Sequence, residues 1–342
     1  MKKLYPLKFI SIPKERVWGG KDNIGENWEI SGFKKESTKV AEGFLEKNSL
    51  FDLVETYNAD LVGEDHYKRY GNEFPLLIKK LFVDGRLSVQ VHPDDLTAFD
   101  RHNSYGKNEA WYILDTKPDA KIYMGFNRDM DPNDFYKRCK EGKVEEVLNV
   151  IHPQKGDFFF IEAGTIHAAG DGVTIAEVQQ LSDITYRVYD WGREYNPETK
   201  REMNLELAYD CINYMKYNAE KYFVPSNAPG HSEGYNRVVH LCRNDYFTMA
   251  FTQLSDSFHV YPENYNSFIL YFSIDGDIKF SSKGNETILK PGEWVMIPAS
   301  MDDFFIAPVK KGGIVKLLET YIEKPKYEKD EYININADPK IH

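Results

Sequence analysis

Residues 87–109 place the strongest constraint on what this chain can fold into. From residue 87 to residue 92, apolar and polar side chains alternate, as they do along a β-strand whose successive side chains point to opposite faces. Pro93 then ends the predicted strand, since proline donates no backbone hydrogen bond. One face would carry Leu87, Val89 and Val91, and the other would carry Ser88, Gln90 and His92. A face that holds a hydroxyl, an amide and an imidazole either meets solvent or lines a polar cavity.

Glu109 and His167, which lie later in the chain, favour the interpretation that this face lines a polar cavity. Glu109 stands at the head of another strand-like segment, and His167 closes the motif Ala-Gly-Thr-Ile-His. Together with His92 they offer two imidazoles and a carboxylate, to which Gln90 could add an amide oxygen. Such a donor set suits a divalent ion such as zinc and leaves a position open for water or substrate. The pattern therefore predicts a metal site on a β scaffold.

Length and charge narrow the classes of function. The 342 residues are enough for two or three domains with sizeable cores. A net charge of −11 argues against binding to nucleic acid through a general electrostatic surface. An anionic substrate would therefore need a local cluster of basic residues. No stretch approaches the ~20 apolar residues of a membrane span, and we expect no membrane partner.

Cysteine usage points to a reducing compartment. Cys139, Cys211 and Cys242 lie far apart and form no Cys-x-x-Cys pair, so neither a disulfide framework nor a thiolate metal site is predicted. Near the N-terminus, Pro6 and Lys8 interrupt what would have to be the apolar core of a signal peptide. We expect a soluble cytoplasmic protein that is a monomer or a weak homo-oligomer.

Helical patterns are confined to a few segments of an otherwise strand-rich chain. Ser49 is a predicted N-cap, followed by apolar residues at helical spacing up to Leu61. A second helix should start after Asp131 and stop at Gly142. A third, short helix is predicted through Val144, Val147, Leu148 and Ile151. We interpret the whole of residues 131–151 as a helical insertion into a β domain.

The last hundred residues repeat an earlier arrangement. Residues 155–163 align with residues 291–299 without a gap, from a Gly-acidic turn into an apolar strand. The same register sets His167 against Asp303. The later copy therefore lacks the imidazole, and we expect it to be structural and free of metal.

The order of the motifs resembles that of a known family. A strand with His-x-Pro-Asp, a later Glu, and then Gly-Asp, a Phe-rich strand and Gly-Thr-x-His form a metal-binding cupin pattern. More closely, the chain resembles the type I phosphomannose isomerases of the short bacterial form. The matching motifs are residues 18–20, 74–79, 87–95, 107–112, 164–168, 177–180 and 182–190. They all lie in the first two thirds of the chain, and the last third matches only in general cupin character.

The resemblance implies a mainly β fold with two cupin-type (jelly-roll) β-barrel domains and the small helical insertion. A cluster rich in Pro, Asn and Gly at residues 225–230 is the best linker in the chain, so the predicted boundary falls there. The N-terminal catalytic domain would span residues 1–225. A C-terminal cupin-like domain without a metal site would span residues 226–342.

Carried over residue by residue, the resemblance also implies a site and a reaction. The reaction interconverts mannose 6-phosphate and fructose 6-phosphate, with one zinc ion per chain as cofactor. The implied site residues are the metal ligands His92, Glu109, His167 and, as a further candidate, Gln90, the catalytic Arg187, and the substrate-binding Lys79, Ser88 and Lys107. Two departures from the family pattern, Asn108 for the usual Thr and residues 191–193 for the usual Asp-Arg pair, bear on pocket details only.

The residue types suit isomerisation of a sugar phosphate. An enediol builds negative charge on oxygen, which a metal ion or a nearby cation can stabilise. Arg187 offers a planar fork suited to a phosphate or an enediolate, and Lys79 and Lys107 offer point charges. A carboxylate, a histidine or a metal-held hydroxide could shuttle the proton between two carbons. Glu177 and Asp183 could orient other site residues or be ordinary loop carboxylates, and the sequence favours neither.

Two other classes of function share parts of this pattern. A metal cupin of another reaction type, such as a dioxygenase, could use the same ligands with iron but would not need a cluster of Arg and Lys. A non-catalytic sugar-binding cupin would keep the pocket without needing an open metal position. Activity on a sugar phosphate in the absence of oxygen would distinguish an isomerase from a dioxygenase. Ligand binding that survives chelation of the metal would distinguish a non-catalytic sugar-binding cupin from a metal-dependent enzyme.

Overall fold

Strands make up most of the regular structure in this computed structural model, which describes residues 3–323. Up to residue 151 the strands are β1 (Phe9–Ile10), β2 (Ile12–Glu15), β3 (Ile24–Ser31), β4 (Lys39–Val40), β5 (Leu76–Val83), β6 (Val89–Val91), β7 (Glu109–Thr116), β8 (Lys121–Phe126) and β9 (Leu148–Ile151). They continue as β10 (Phe158–Ile161), β11 (His167–Gly170), β12 (Val173–Gln180), β13 (Tyr186–Tyr189), β14 (Phe223–Val224), β15 (His231–Glu233), β16 (Asn236–Arg243) and β17 (Thr248–Leu254). The last are β18 (Phe258–Val260), β19 (Ile269–Asp275), β20 (Ile278–Ser282), β21 (Asn285–Leu289), β22 (Trp294–Ile297), β23 (Phe304–Pro308) and β24 (Val315–Tyr321). The prediction of a mainly β chain is confirmed.

The helices are short. They are α1 (Leu50–Tyr57), α2 (Ala59–Val62), α3 (Glu64–Tyr70), α4 (Asp95–His102), α5 (Pro132–Glu141), α6 (Leu205–Ala208) and α7 (Ala219–Tyr222). Single turns of 3-10 helix occupy Lys21–Asn23, Val144–Val147, Arg193–Tyr195 and Pro262–Asn264. The helix predicted to run from Ser49 to Leu61 is interrupted between α1 and α2 at Asn58, whose φ of 49° is incompatible with a continuous α-helix. No helix within residues 3–323 has the length and apolar character needed to cross a membrane.

The described chain forms two compact units, each of them discontinuous in sequence. The first unit contains residues 12–28 and 76–227, and the second contains residues 3–11, 29–75 and 228–323. The last passage between the units falls inside the predicted linker. The predicted domains, drawn as two contiguous stretches, differ from these units in where the early segments belong.

Hydrogen bonds distant in sequence explain why the early segments join the second unit. The backbone N–H of Ala299 donates to the carbonyl of Leu61 at 3.0 Å. Nε2 of His66 lies 3.1 Å from the carbonyl oxygen of Ile322. These bonds tie the helical segment to the ends of late strands, and no local pattern in the sequence encodes them.

Two antiparallel sheets build the first unit. The seven-stranded sheet has the order β14-β10-β7-β12-β5-β3-β2, and the five-stranded sheet has the order β13-β6-β11-β8-β9. Trp111, Met124 and Phe159 belong to the buried core between them, while Phe135 and Leu205 of α5 and α6 cover the other face of the five-stranded sheet. Within residues 3–323 the strand pairing does not close into a continuous barrel, so the sheets form a sandwich where the sequence predicted a β-barrel.

The strand that carries the opening sequence motif is shorter than predicted. Val89 and Val91 in β6 pack against the helix-covered core, as the alternation requires. Leu87, which the alternation placed on the same face, instead lies in the core between the two sheets. Leu87 precedes the strand, and its N–H donates to the carbonyl of Ala169 at 2.8 Å. The two-residue period therefore does not extend to it.

The helical insertion is shorter than predicted. α5 starts after Asp131, whose carboxylate accepts from the backbone N–H groups of Asn133 and Asp134, and ends at Gly142 with a φ of 69°. Residues 148–151, predicted as helix, form the edge strand β9, in which Ile151 pairs with Ile122 of β8. Pairing with a sheet edge outweighs a weak local helical pattern, because it satisfies the backbone and buries Leu148.

The second unit repeats the arrangement of two sheets. Its six-stranded sheet has the order β15-β16-β17-β24-β19-β22, and its four-stranded sheet has the order β18-β23-β20-β21. Ile269, Tyr271 and Leu317 from the larger sheet share a buried core with Phe280 and Phe304 from the smaller one. The short strands β1 and β4 form a separate pair. The repeat detected in the sequence therefore corresponds to a repeat of two-sheet units.

Candidate active site

Register in the five-stranded sheet sets three functional side chains in a row. Gln90 in β6 is directly opposite His167 in β11 on one side and opposite Arg187 in β13 on the other. Residues directly opposite each other in an antiparallel pair project to the same face. His92 follows directly after β6, and its ring centroid lies 4.8 Å from that of His167. An imidazole pair, an amide and a guanidinium therefore share one face of this sheet.

Register in the seven-stranded sheet builds a second row. Glu177 in β12 is opposite Lys79 in β5 and opposite Trp111 in β7. Glu109 lies two residues before Trp111 in the same strand and so projects to the same face. Nε1 of Trp111 donates to the carboxylate of Glu177 at 2.7 Å. The two rows face each other in the space between the sheets.

Three buried donor atoms converge where the rows meet. Nε2 of His92 lies 3.4 Å from Oε2 of Glu109, and Nε2 of His167 lies 3.1 Å from Oε1 of the same carboxylate. All three side chains are buried, and the three ligand atoms lie within 4.8 Å of one another. This spacing suits one ion bound at about 2 Å from each donor.

Backbone carbonyls set the tautomer of each imidazole. Nδ1 of His92 lies 2.8 Å from the carbonyl oxygen of Ile184, and Nδ1 of His167 lies 2.9 Å from that of Thr165. A carbonyl can only accept, so Nδ1 carries a proton in each ring, and in a neutral imidazole Nε2 is then the nitrogen with the lone pair. Burial, and then the charge of Lys107, lowers the pKa of His92 to about 3. His92 is therefore neutral at ordinary pH, which is the form that binds a metal.

The carboxylate of Glu109 is buried, and neither of its oxygens has a hydrogen-bond partner. Both of its oxygens are buried without a hydrogen bond of good geometry, although Nζ of Lys107 lies 3.0 Å from Oε2. Lys107 also lies 3.2 Å from Nε2 of His92. Burial by itself raises the pKa of Glu109, but nearby positive charge, first that of Lys107, more than offsets burial and holds the pKa well below its usual range. A charged, buried carboxylate beside two imidazole lone pairs is a site that a divalent cation completes.

Gln90 lies beside the cluster, and its amide nitrogen rather than its amide oxygen points toward His167. Its Nε2 lies 3.2 Å from Nε2 of His167, and its Oε1 accepts a hydrogen bond from Ser88 at 3.3 Å. An amide ligates a metal through its oxygen, so Gln90 would become a ligand only after a half-turn of the amide. Its ligand role stays a prediction.

Lys79 is a buried ammonium held by two carboxylates. Its Nζ lies 3.4 Å from Oε1 of Glu177 and 3.9 Å from Oε2 of Glu26. Burial opposes the charged form, but Glu26 and then Glu177 more than offset it and raise the pKa of Lys79 above its usual value. Glu26 accepts from Arg16 and Trp28; burial raises its pKa, but Lys79 and Arg16 together lower it to about 2. The lysine is therefore charged at neutral pH.

Arg187 is tied to the sheet through Ser88. Its Nε donates to the hydroxyl of Ser88 at 3.1 Å, and its Nη1 donates to the carbonyl of Glu202 at 2.6 Å. Ser88 is fully buried. Burial, and then the charge of Arg201, lowers the pKa of Arg187 to about 10, so the guanidinium stays charged at neutral pH. Ser88 and Arg187, which were predicted separately as site residues, are thus in direct contact.

These side chains surround one cavity of about 350 Å³ in the first unit. The predicted residues in its lining are Lys79, Gln90, Lys107 and Arg187. The candidate metal ligands adjoin it through Lys107 and Gln90, each 3.2 Å from a histidine. The structure therefore brings all the sequence-predicted site residues to one place.

Three charged residues of the cavity were not indicated by the sequence, namely Arg16, Glu26 and Arg201. Glu177 and Asp183, for which the sequence left two interpretations open, also line it. Alternation in β3, which sets Glu26 two residues before Trp28, is the one local signal that could have indicated Glu26. Arg201 lies in a polar loop between β13 and α6, where nothing in the spacing distinguishes it.

The fold and the site together define a class of protein. The chain is mainly β, it repeats a unit of two packed sheets, and one unit holds two histidines and a glutamate between its sheets. This is the arrangement of the cupin class, which the order of the motifs predicted.

Comparisons with known proteins refine the class to a family. The family model "Phosphomannose isomerase type I, catalytic domain" matches residues 9–128, and the model "Mannose-6-phosphate isomerase, cupin domain" matches residues 238–311. Mannose-6-phosphate isomerase ManA of Bacillus subtilis is 30% identical over 316 residues, which are 87% of this chain and 95% of that protein. The mannose-6-phosphate isomerase of Streptococcus mutans is 28% identical over 312 residues, 86% of this chain and 92% of that protein.

A solved structure agrees with these sequence relatives. The crystal structure of mannose 6-phosphate isomerase from Bacillus subtilis has a TM-score of 0.80 and 27% identity, and the match covers 93% of this chain and 99% of that chain. The chain belongs to the type I phosphomannose isomerase family. The predicted family and the predicted enzyme class, an isomerase, are confirmed.

Proposed function

We propose that this enzyme interconverts mannose 6-phosphate and fructose 6-phosphate through an enediol, with one zinc ion held by His92, Glu109 and His167. The observation that carries the proposal is the convergence of two imidazole Nε2 atoms on one buried carboxylate, at 3.4 and 3.1 Å. This cluster adjoins a cavity whose wall carries basic side chains suited to a phosphate. The sugar phosphate is also the substrate in the names of the relatives.

The donor set fits zinc. Two imidazole nitrogens and a carboxylate are ligands that zinc takes, and the two unbonded oxygens of Glu109 supply the negative charge that the ion requires. When bound, the ion would supply a Lewis acid that stabilises negative charge on the sugar's oxygens. Gln90 would be a weaker donor, since its amide oxygen is turned to Ser88.

Three basic residues, Lys79, Lys107 and Arg187, would have different roles in the reaction. Lys79 is an ammonium without a lone pair, so it cannot accept the proton and offers positive charge to a developing oxyanion. Lys107 holds Glu109 in its charged form from 3.0 Å. Arg187, oriented by Ser88, presents a planar fork to a phosphate or an enediolate.

A coupled assay of mannose 6-phosphate tests the proposal. Metal-loaded and chelated protein are compared with and without oxygen, and metal is counted in the same preparations. We expect turnover that needs the metal, does not need oxygen, and accompanies one zinc equivalent per chain. Dependence on oxygen would favour a metal cupin of another reaction type. Sugar phosphate binding that survives chelation, without turnover, would favour a binding protein.

The metal count also tests the C-terminal copy. Within residues 3–323, His92, Glu109 and His167 form the one grouping of three His, Cys, Asp or Glu side chains close enough to hold an ion. A second equivalent that persists in His167→Ala would contradict the expectation that the C-terminal copy holds no metal. The cytoplasmic location and the weak or absent self-association stay predictions.

A further inference from the structure

Arg201 is a cavity residue that the sequence motifs did not indicate. It lines the same cavity as Arg187, and 21% of its side chain is exposed. Its Nη2 and Nε donate to the two carboxylate oxygens of Asp190, at 2.5 and 3.2 Å. Asp190 is completely buried. A carboxylate that takes two hydrogen bonds from one guanidinium holds that guanidinium in a single orientation.

The carboxylate of Asp190 accepts hydrogen bonds from a second arginine as well as from Arg201. Nη2 of Arg193 donates to the same carboxylate at 2.7 Å and to the carbonyl of Arg86 at 2.6 Å. Arg201 is also the charged neighbour that does most to lower the pKa of Arg187, after burial. Like charges repel, so two guanidinium groups on one cavity wall cost free energy unless an anion lies against them.

The position of this wall relative to the metal ligands fits a hexose 6-phosphate. Gln90 pairs with His167 on one side and with Arg187 on the other. Arg187 is therefore two strand spacings, or ~10 Å, from His167. In a hexose 6-phosphate the phosphate lies at the opposite end of the carbon chain from C1 and C2, the carbons that exchange hydrogen. An arginine at this separation can hold the phosphate while C1 and C2 lie at the candidate metal ligands, and Arg201 lines the same cavity as Arg187.

We propose that Arg201 binds the phosphate group of the substrate beside Arg187, and that Asp190 is the positioning residue that orients Arg201. The identity of the substrate rests on the proposed function, whereas the anion site itself does not. Arg201 would touch the phosphate in the ground state and in the transition state alike. It should therefore affect substrate binding and leave the chemical step nearly unchanged.

Steady-state kinetics and phosphate titration of the metal-loaded enzyme test this. Arg201→Ala should raise KM for mannose 6-phosphate by about 10- to 100-fold, the range for hydrogen bonds to a charged group, with kcat changed by less than ~3-fold. Its affinity for inorganic phosphate, measured by isothermal titration calorimetry, should fall by a similar factor. Asp190→Asn should raise KM as well, with kcat retained. Lys200→Ala, an exposed change in the same loop, is the matched control and should leave KM and phosphate affinity unchanged.

A folded Arg201→Ala that keeps the wild-type KM and phosphate affinity overturns the proposal. If the alanine variant does not fold, Arg201→Lys, which keeps the charge but loses the fork, should still raise KM, and a wild-type KM there overturns it equally. Phosphate binding that depends on Arg201 in a protein without isomerase activity would support the anion site and overturn the proposed function. Isomerase activity in a protein whose phosphate affinity does not depend on Arg201 would support the proposed function and overturn the anion site at Arg201.

Discussion

At the scale of single residues, the two imidazoles have no substitutes. Each Nδ1 is bound to a backbone carbonyl, so each ring offers its Nε2 to the cluster from a fixed position. We expect His92→Ala and His167→Ala to lose metal and activity together. Gln90→Ala should weaken metal binding less, because an amide oxygen is a poorer donor than an imidazole. Metal per chain by mass spectrometry and turnover are measured on the same samples.

The control for these variants is His152→Ala, which alters an exposed histidine of the same unit. It should retain the full metal content and full activity. A folded His167→Ala with one equivalent of zinc and normal isomerase activity would contradict both the ligand assignment and the mechanism built on it.

Arg187 is the residue at which charge and shape can be separated. Arg187→Lys keeps the positive charge but loses the fork and the hydrogen bond from Nε to Ser88. We expect kcat/KM to fall ~100-fold or more, about 3 kcal/mol of transition-state stabilisation. Arg128→Lys, at an exposed position, should have no effect in the same assay. Near-normal turnover in a folded Arg187→Lys would show that the fork is not used.

At the scale of elements, the turn between β10 and β11 joins the two histidines. Gly164 has a φ of 88°, a conformation that favours glycine. Its N–H donates to the carbonyl of His92 at 2.9 Å, and its own carbonyl accepts from Asn213 at 2.8 Å. His167 follows three residues later as the first residue of β11. The turn that starts this strand is therefore hydrogen-bonded directly to the backbone of His92, the other candidate imidazole ligand.

Gly164→Ala should harm both stability and the metal site. An added Cβ would lie 2.8 Å from the carbonyl oxygen of Cys211, and the positive φ adds ~1–3 kcal/mol of strain. Gly192→Ala is the matched control, because Gly192 has a φ of 85° but no atom within 4 Å of the added Cβ. We expect both variants to lower the Tm, Gly164→Ala by more, and only Gly164→Ala to weaken metal binding. Equal effects would show that the turn does not position the ligands.

At the scale of the whole molecule, strand register shows what the second unit retains of the first. Ile161 pairs with Glu109, and at the matching position Ile297 pairs with Ile269. The candidate carboxylate ligand, Glu109, is thus replaced by isoleucine, in addition to the Asp303 that replaces His167 in the sequence alignment. By the same register, Glu319 corresponds to Glu177, since each is paired with an aromatic residue of the adjacent strand.

The partner that Lys79 provides in the first unit is missing in the second. Glu177 is opposite Lys79, whereas Glu319 is opposite Ala250. Glu319 has instead the hydroxyl of Tyr265 at 3.5 Å, and burial raises its pKa to about 7 even though Tyr271 and Tyr265 oppose the rise. The folded state therefore holds a proton on Glu319 at pH values where the unfolded chain has released it.

This proton makes stability depend on pH. Because the folded pKa lies above the ordinary carboxyl value, the free energy of unfolding should fall as pH rises from about 4.5 to about 7, and then level off. Glu319→Gln should reduce that fall and raise the Tm relative to wild type at pH 8. Scanning fluorimetry from pH 5 to pH 8 measures this, with the exposed Glu263→Gln as control. A parallel pH profile for Glu319→Gln and wild type would contradict it.

Local patterns were enough to predict several elements and the three side chains of the candidate metal cluster. The N-cap predicted at Ser49 is present at the start of α1, since its hydroxyl accepts from the N–H of Asp52 at 3.1 Å and donates to the carboxylate of Asp52 at 2.6 Å. Caps, turns and strand alternation depend on neighbours within a few residues, so they can be recognised in sequence. The motifs around His92, Glu109 and His167 are likewise local and indicated the donor set.

By itself, then, the sequence determined the mainly β class, the family and the residues able to ligate an ion. Only the tertiary structure decided that Glu26 lies beside Lys79, that Arg201 reaches the cavity and that residues 29–75 join the second unit. It also decided that Leu87 turns away from Val89. The physical reason is that register between strands distant in sequence is set by the packing of whole sheets, and short-range patterns carry no information about it.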